Sequence, residues 1–113
     1  MTAPDEIEPI RFEVVCELEA GMVRVHVVGE LDLAARYVLP TAVRNALERH
    51  AVPSVHIDLS GLTFMDSTGL HDLISAGQIA AAHDAVLIVQ GARPNVRRVV
   101  QLANLDHLLD QFG

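Results

Sequence analysis

The stretch Phe64-Met65-Asp66-Ser67-Thr68-Gly69-Leu70 decides how this chain folds. Upstream of it, Val55, Ile57 and Leu59 alternate with Ser54, His56 and Asp58, the pattern of a strand with one buried face over 54–59. Downstream, Leu70, Leu73, Ile74, Gly77 and Ala81 recur at helical spacing, which predicts a helix from about Leu70 to Ala82. The residues at such a junction sit where free backbone N–H groups point outward, a place that receives or tolerates a phosphate. Asp, Ser and Thr all serve as helix caps. Here they stand in a row although a helix needs one cap, and Gly69 follows at once although glycine costs helix stability. Ser67 reads as a cap or as a phosphate acceptor, and composition alone favours the cap.

Working outward, Ile10, Phe12, Val14, Cys16 and Leu18 alternate with acidic positions and predict a half-buried first strand with those five facing inward. Ala20-Gly21 makes a turn, and Val23, Val25 and Val27 form the second strand of a hairpin, ended by Gly29-Glu30-Leu31-Asp32. A helix follows from about Leu39 to His50, with Val38, Leu39, Val43 and Leu47 on its apolar face. Pro40 is confined to its first turn, and a separate short turn precedes it. The unbroken run Val86-Leu87-Ile88-Val89 predicts a strand covered on both faces. Pro94 opens another helix with Val96, Val99, Val100 and Ala103 as its core stripe, and Asn104 is its stop. Leu105, Leu108, Leu109 and Phe112 suggest a last short helix. The order β-β-α-β-α-β-α-α implies a mixed, mostly parallel sheet of about four to five strands, with helices mainly on one face. Residues 1–9, with two prolines and several acids, read as a flexible acidic N-terminus ahead of one domain over 10–113.

The bulk numbers exclude several classes. With 113 residues, half of them hydrophobic, the chain is one domain with a core that needs no staple. Cys16 is the only cysteine, so no internal disulfide forms, and a reducing, cytoplasmic location fits. No apolar run resembles a signal peptide or a membrane span. A net charge of −7 argues against nucleic acid. Arg93, Arg97 and Arg98 form the one basic cluster, read as a solvated helix face.

Catalysis finds little support. Gly-x-Ser-x-Gly is missing around Ser67, and His71 with Asp66 and Asp72 crowds one short span, whereas a triad gathers distant segments. The six histidines form no metal motif, and no phosphate loop or dinucleotide fingerprint is present. No cofactor or metal is expected. Asp32 follows a strand end as Asp66 does. If the two strands are neighbours, the segments Gly29–Asp32 and Asp66–Gly69 approach each other. A cap for the following helix and a place in a shared site are equal readings of Asp32.

Taken together, Gly29-Glu30-Leu31-Asp32 and Phe64-Met65-Asp66-Ser67-Thr68-Gly69-Leu70 resemble the STAS domain of bacterial anti-sigma factor antagonists, as do Pro94, Val99-Val100 and Asn104-Leu105 at the end of the chain. The resemblance covers roughly residues 10–112. It implies a single STAS-type α/β domain that catalyses nothing. The unphosphorylated antagonist binds an anti-sigma serine kinase and releases its sigma factor; the kinase, with its own ATP, phosphorylates the serine that maps onto Ser67; a PP2C-type phosphatase restores it. Thr68 is a possible second acceptor. Asp32, Asp66, Thr68, Gly69, Leu70 and His71 fall in the implied partner-binding segment, where His71 replaces a glycine that the family often has. A monomer or weak dimer acting in transcription regulation and stress response is the expectation, with a scaffold or regulatory subunit of a larger signalling assembly as the alternative. Phosphorylation is expected to act at the partner surface rather than on the fold, and changes at Asp32 or Asp66 to weaken contact rather than unfold the chain.

Overall fold

Two valine-rich segments start the fold: β1 (Phe12–Glu19) and β2 (Met22–Leu31) pair antiparallel across a turn in which Gly21 takes φ +77°, open to glycine without strain. A short 3₁₀ turn (Leu33–Ala35) and helix α1 (Val38–Arg49) cross over to β3 (Ser54–Met65). Helix α2 (Ser67–Ala82) leads to β4 (Val86–Gln90), and α3 (Pro94–Leu102) follows. The structure is a computed structural model and describes residues 12–103. The acidic segment 1–9, Ile10, the Asn104 stop and the last helix expected through Phe112 lie outside the described residues.

The sheet order is β1-β2-β3-β4, with β1 antiparallel and the other three parallel. It is the mixed, mostly parallel sheet expected from the alternation of elements. Val23, Val25, Val27, Val55, Ile57, Leu59 and Val89 face the helices and are buried. Leu39, Val43 and Leu47 of α1, Leu73 and Ala76 of α2, and Val96 and Val100 of α3 close over them. Each fully buried Val, Leu or Ile side chain contributes roughly 1.5–3 kcal/mol of transfer free energy.

The opposite face of the sheet carries polar side chains from every strand. His26 on β2 stands opposite Asp58 on β3 and diagonal to Glu17 on β1: its Nε2 lies 2.6 Å from Glu17 and its Nδ1 3.2 Å from Asp58. Arg24 pairs with Glu19 at 2.9 Å on the same face.

Several expectations are corrected. β4 is covered on one face only: Leu87 and Val89 point to the helices, while Val86 is 57% exposed on the polar side. Among the described residues β4 is an edge strand, so its unbroken apolar run does not mean two covers. On β1, Phe12 and Val14 pack on the core but Cys16 and Leu18 are exposed: β1 is an edge strand among the described residues, and the cover that buries their partners Val25 and Val23 on β2 does not reach them. Val38 and Ala81 are exposed, and Ala46, Ala76 and Ala80 fill the core positions beside them.

The largest difference is the length of β3, which runs six residues past Leu59 to Met65. Its pairing with β2 slips twice: Asp58 to Gly61 opposes His26 to Val28, and Leu62 to Phe64 opposes Gly29 to Glu30. Each slip is a bulge that adds one residue to β3. The buried positions therefore fall at Leu59, Leu62 and Met65, a spacing of three that hides the strand from a period-two reading. The extension carries β3 straight to Asp66.

Candidate functional site

The parallel pairing of β2 and β3 sets Leu31 opposite Met65, so both strands end at one edge of the sheet. The N–H of Asp66 donates to the carbonyl of Leu31 at 3.3 Å. The segments Gly29–Asp32 and Asp66–Gly69 are thus neighbours, as they would be on adjacent strands.

Both aspartates are caps. Asp66 has extended backbone geometry, and its Oδ1 accepts the N–H of Gly69 at 3.0 Å, closing the first turn of α2. Asp32 Oδ1 accepts the N–H of Ala34 at 3.0 Å and caps the 3₁₀ turn. Asp66 is therefore part of the fold as well as of the surface.

With Asp66 as the cap, Ser67 becomes the first residue of α2, and its side chain is exposed. The helix begins three residues before Leu70. Helical geometry gives the N–H groups of Ser67 and Thr68 no intrahelical acceptor, and the positive pole of a 16-residue helix lies under them. Thr68 is half-buried and His71 is exposed one turn on. Gly69 and Leu70 are buried, which takes both out of the accessible surface. A Cβ on Gly69 would collide with the carbonyl oxygen of Leu31 and stand 2.8 Å from Leu31 Cγ and from Met65 Cγ. Glycine is there because α2 starts hard against the end of β2.

Sequence reasoning missed the apolar surface around Ser67. Leu33 is 61% exposed, Tyr37 59% and Phe64 45%, and Val38 joins them. Leu33 and Tyr37 come from the β2-to-α1 connection, Val38 opens α1 and Phe64 lies near the end of β3, so they sit on the segments that lead from and to the Leu31–Asp66 bond at the sheet edge where α2 begins. Phe64 lies inside the decisive stretch; its signal is that the bulged strand sends it outward while Met65 goes in. The guanidinium of Arg36 lies 4.8 Å over the Tyr37 ring. Sequence reasoning also treated Asp72 only as a neighbour of Ser67, whereas it is buried beneath this surface and accepts the N–H of Tyr37 at 2.9 Å.

Asp66 and Asp72 are both engaged with backbone N–H groups, and among the described residues no hydrogen bond joins Ser67 to His71. No group of three or more potential metal ligands occurs among them either. On the polar sheet face, burial raises the pKa of Asp58, but the Ser60 N–H at 2.9 Å, the Ser60 hydroxyl and His26 outweigh it and hold the carboxyl below its ordinary value. No helix among the described residues is long and apolar enough to cross a membrane.

A family model described as Mlab, STAS domain, matches residues 16–110. The chain belongs to the STAS domain family. The STAS fold extends to solved structures. An anti-sigma factor antagonist from Mycobacterium paratuberculosis superposes with a TM-score of 0.73 at 27% identity, covering 95% of this chain and 86% of that one. The unphosphorylated form of the anti-sigma factor antagonist SpoIIAA matches with a TM-score of 0.74 at 24% identity, over 89% of this chain and 86% of that one. The phosphorylated form of SpoIIAA, a Bacillus cell fate determinant, matches at 0.68 and 22%, over 89% of each chain.

Proposed function

We propose that this STAS domain is an anti-sigma factor antagonist whose unphosphorylated form binds an anti-sigma serine kinase and releases the sigma factor that the kinase holds. Phosphorylation of Ser67 by that kinase, with its own ATP, switches binding off, and a PP2C-type phosphatase reverses it. The observation that carries this reading is the position of Ser67: exposed, first in α2, beside a cap that does not involve its hydroxyl, at the sheet edge where the segments carrying the exposed Leu33, Tyr37 and Phe64 meet. The likeness to the mycobacterial antagonist supports the same role. Thr68 is half-buried and is the lesser acceptor. The domain works by contact in the cytoplasm, as a monomer or weak dimer, and catalyses no reaction.

The physics of the switch follows from the site. A phosphate adds about −1.5 to −2 charges next to Asp66. The helix start offsets part of this, by roughly 0.3–1 kcal/mol when exposed. The fold tolerates the group, but an interface would have to desolvate it, and an unpaired buried charge costs several kcal/mol against a micromolar complex worth about 8 kcal/mol. Asp32, Asp66, Thr68 and His71 are the polar contacts of this surface. Gly69 and Leu70 act beneath it, by setting the position of the helix.

The test is intact mass after incubation with candidate serine kinases and ATP. A gain of one phosphate, absent in Ser67→Ala, supports the reading; no gain with any kinase of the source genome overturns it. The alternative reading of a STAS domain is a scaffold or regulatory subunit of a larger signalling assembly. Size-exclusion separates the two: a monomer or dimer fits the antagonist, a stable large particle the subunit.

A further inference from the structure

The side chain of Asp72 is 1% exposed and is the buried charged group among the described residues. It sits on α2 five residues after Ser67 and reaches across to the connection between β2 and α1, where it accepts the N–H of Tyr37 at 2.9 Å. Tyr37 occupies the N-cap position of α1 with φ +73°, a left-handed conformation that a bulky side chain rarely adopts. Its own side chain makes no capping bond. The first turn of α1 also contains Pro40, which has no N–H to satisfy. The acceptor that α1 lacks at its start is therefore supplied from another helix, by a carboxylate at the positive pole.

The consequence lies at the surface. The Leu33–Tyr37 connection is held at two points: Asp32 accepts Ala34 N–H at one end, and Asp72 accepts Tyr37 N–H at the other. Between them Leu33 and Tyr37 stand out, 61% and 59% exposed. Asp72 belongs to the helix that begins with Ser67, so it fixes these apolar side chains relative to the serine. We infer that Asp72 is a positioning residue for partner recognition: it latches Tyr37 in its left-handed conformation and so sets the apolar half of the surface that reads Ser67. This rests on the antagonist reading for what the surface does; the latch itself is a property of the chain alone.

Two readouts test the two halves. Tyr37 is the only tyrosine, and the chain has no tryptophan, so tyrosine fluorescence anisotropy reports this connection without a label. In Asp72→Ala the amide exchange of Tyr37, measured relative to Val25 in the sheet, accelerates at least tenfold and the anisotropy falls. Asp72→Asn, which keeps a carbonyl acceptor, recovers most of both, and serves alone, with a smaller shift, if Asp72→Ala does not fold. With a kinase that phosphorylates wild-type Ser67, KM rises five- to tenfold in Asp72→Ala at unchanged kcat, and Tyr37→Ala raises it comparably. Tyr37 exchange within twofold of wild type in both variants overturns the latch. A freed Tyr37 with unchanged KM overturns its role in recognition. A wild-type chain that no kinase modifies overturns the antagonist reading and the recognition role with it, while the exchange result still decides the latch.

Discussion

The backbone of Asp66 donates to the carbonyl of Leu31 at 3.3 Å, tying the start of the Ser67 helix to the end of the neighbouring strand. This bond makes one surface of two segments that are far apart in the chain. Gly69 beneath it allows the helix to seat, and Asp66 above it closes the first turn. The serine is thereby held by groups other than its own hydroxyl, the condition for modifying that hydroxyl without disturbing the fold.

Asp66→Ala removes the cap of α2. The expected loss is about 1 kcal/mol, within the range of roughly 0.5–2 for such caps, read as a lower urea midpoint. Ser67→Ala should stay within about 0.5 kcal/mol of wild type in the same experiment. Equal losses for the two would mean that Ser67 is itself part of the cap.

Gly69→Ala forces a methyl group against Leu31 and Met65. Overpacking of this kind costs about 1–3 kcal/mol. Thermal unfolding should show it as a clear drop in Tm, and an unchanged Tm would mean that α2 sits further from β2 than described.

How much of this was legible in the sequence depended on periodicity. The hairpin, the crossovers and the junction at Asp66 follow from valine alternation and helical spacing that the tertiary structure leaves intact. The extension of β3 did not, because two bulges changed its buried spacing from two to three at Leu59, Leu62 and Met65. The exposure of Cys16 and Leu18 was hidden for another reason: alternation says which face a residue points to, not whether a helix covers that part of the face. Ser67 was singled out as a candidate from its neighbours in the chain. Leu33, Tyr37 and Asp72 were not, since their roles depend on contacts across more than thirty residues, such as Tyr37 with Asp72.

Leu33→Ala and Phe64→Ala should weaken kinase binding more than they lower stability, because neither side chain belongs to the buried core. A loss of at least about tenfold in affinity each, near 1.4 kcal/mol, is expected of central apolar contacts and can be read by calorimetric titration. Unchanged affinity in both variants would place the interface elsewhere.

Asp58 gives the chain an acid-sensitive element. Its folded pKa lies below the ordinary aspartate value, so its ionised form stabilises the fold fully at neutral pH. That contribution is lost as pH falls from about 4 through the lowered folded value, where the carboxyl protonates in both states. Urea midpoints measured from pH 6 to pH 2 should therefore fall faster for wild type than for Asp58→Asn, with the two converging at the acid end. Parallel curves would mean that Ser60 and His26 do not hold the carboxylate.

The central claim is that phosphate on Ser67 acts at the interface and leaves the fold alone. It is tested most directly by preparing the Ser67-phosphorylated chain, then measuring its Kd for the kinase and its Tm beside the unmodified chain. The account predicts an affinity loss of about a hundredfold or more, near 2.7 kcal/mol, with Tm shifted by only a few degrees. Equal affinity for the two forms, or a collapse of Tm on phosphorylation, would contradict it.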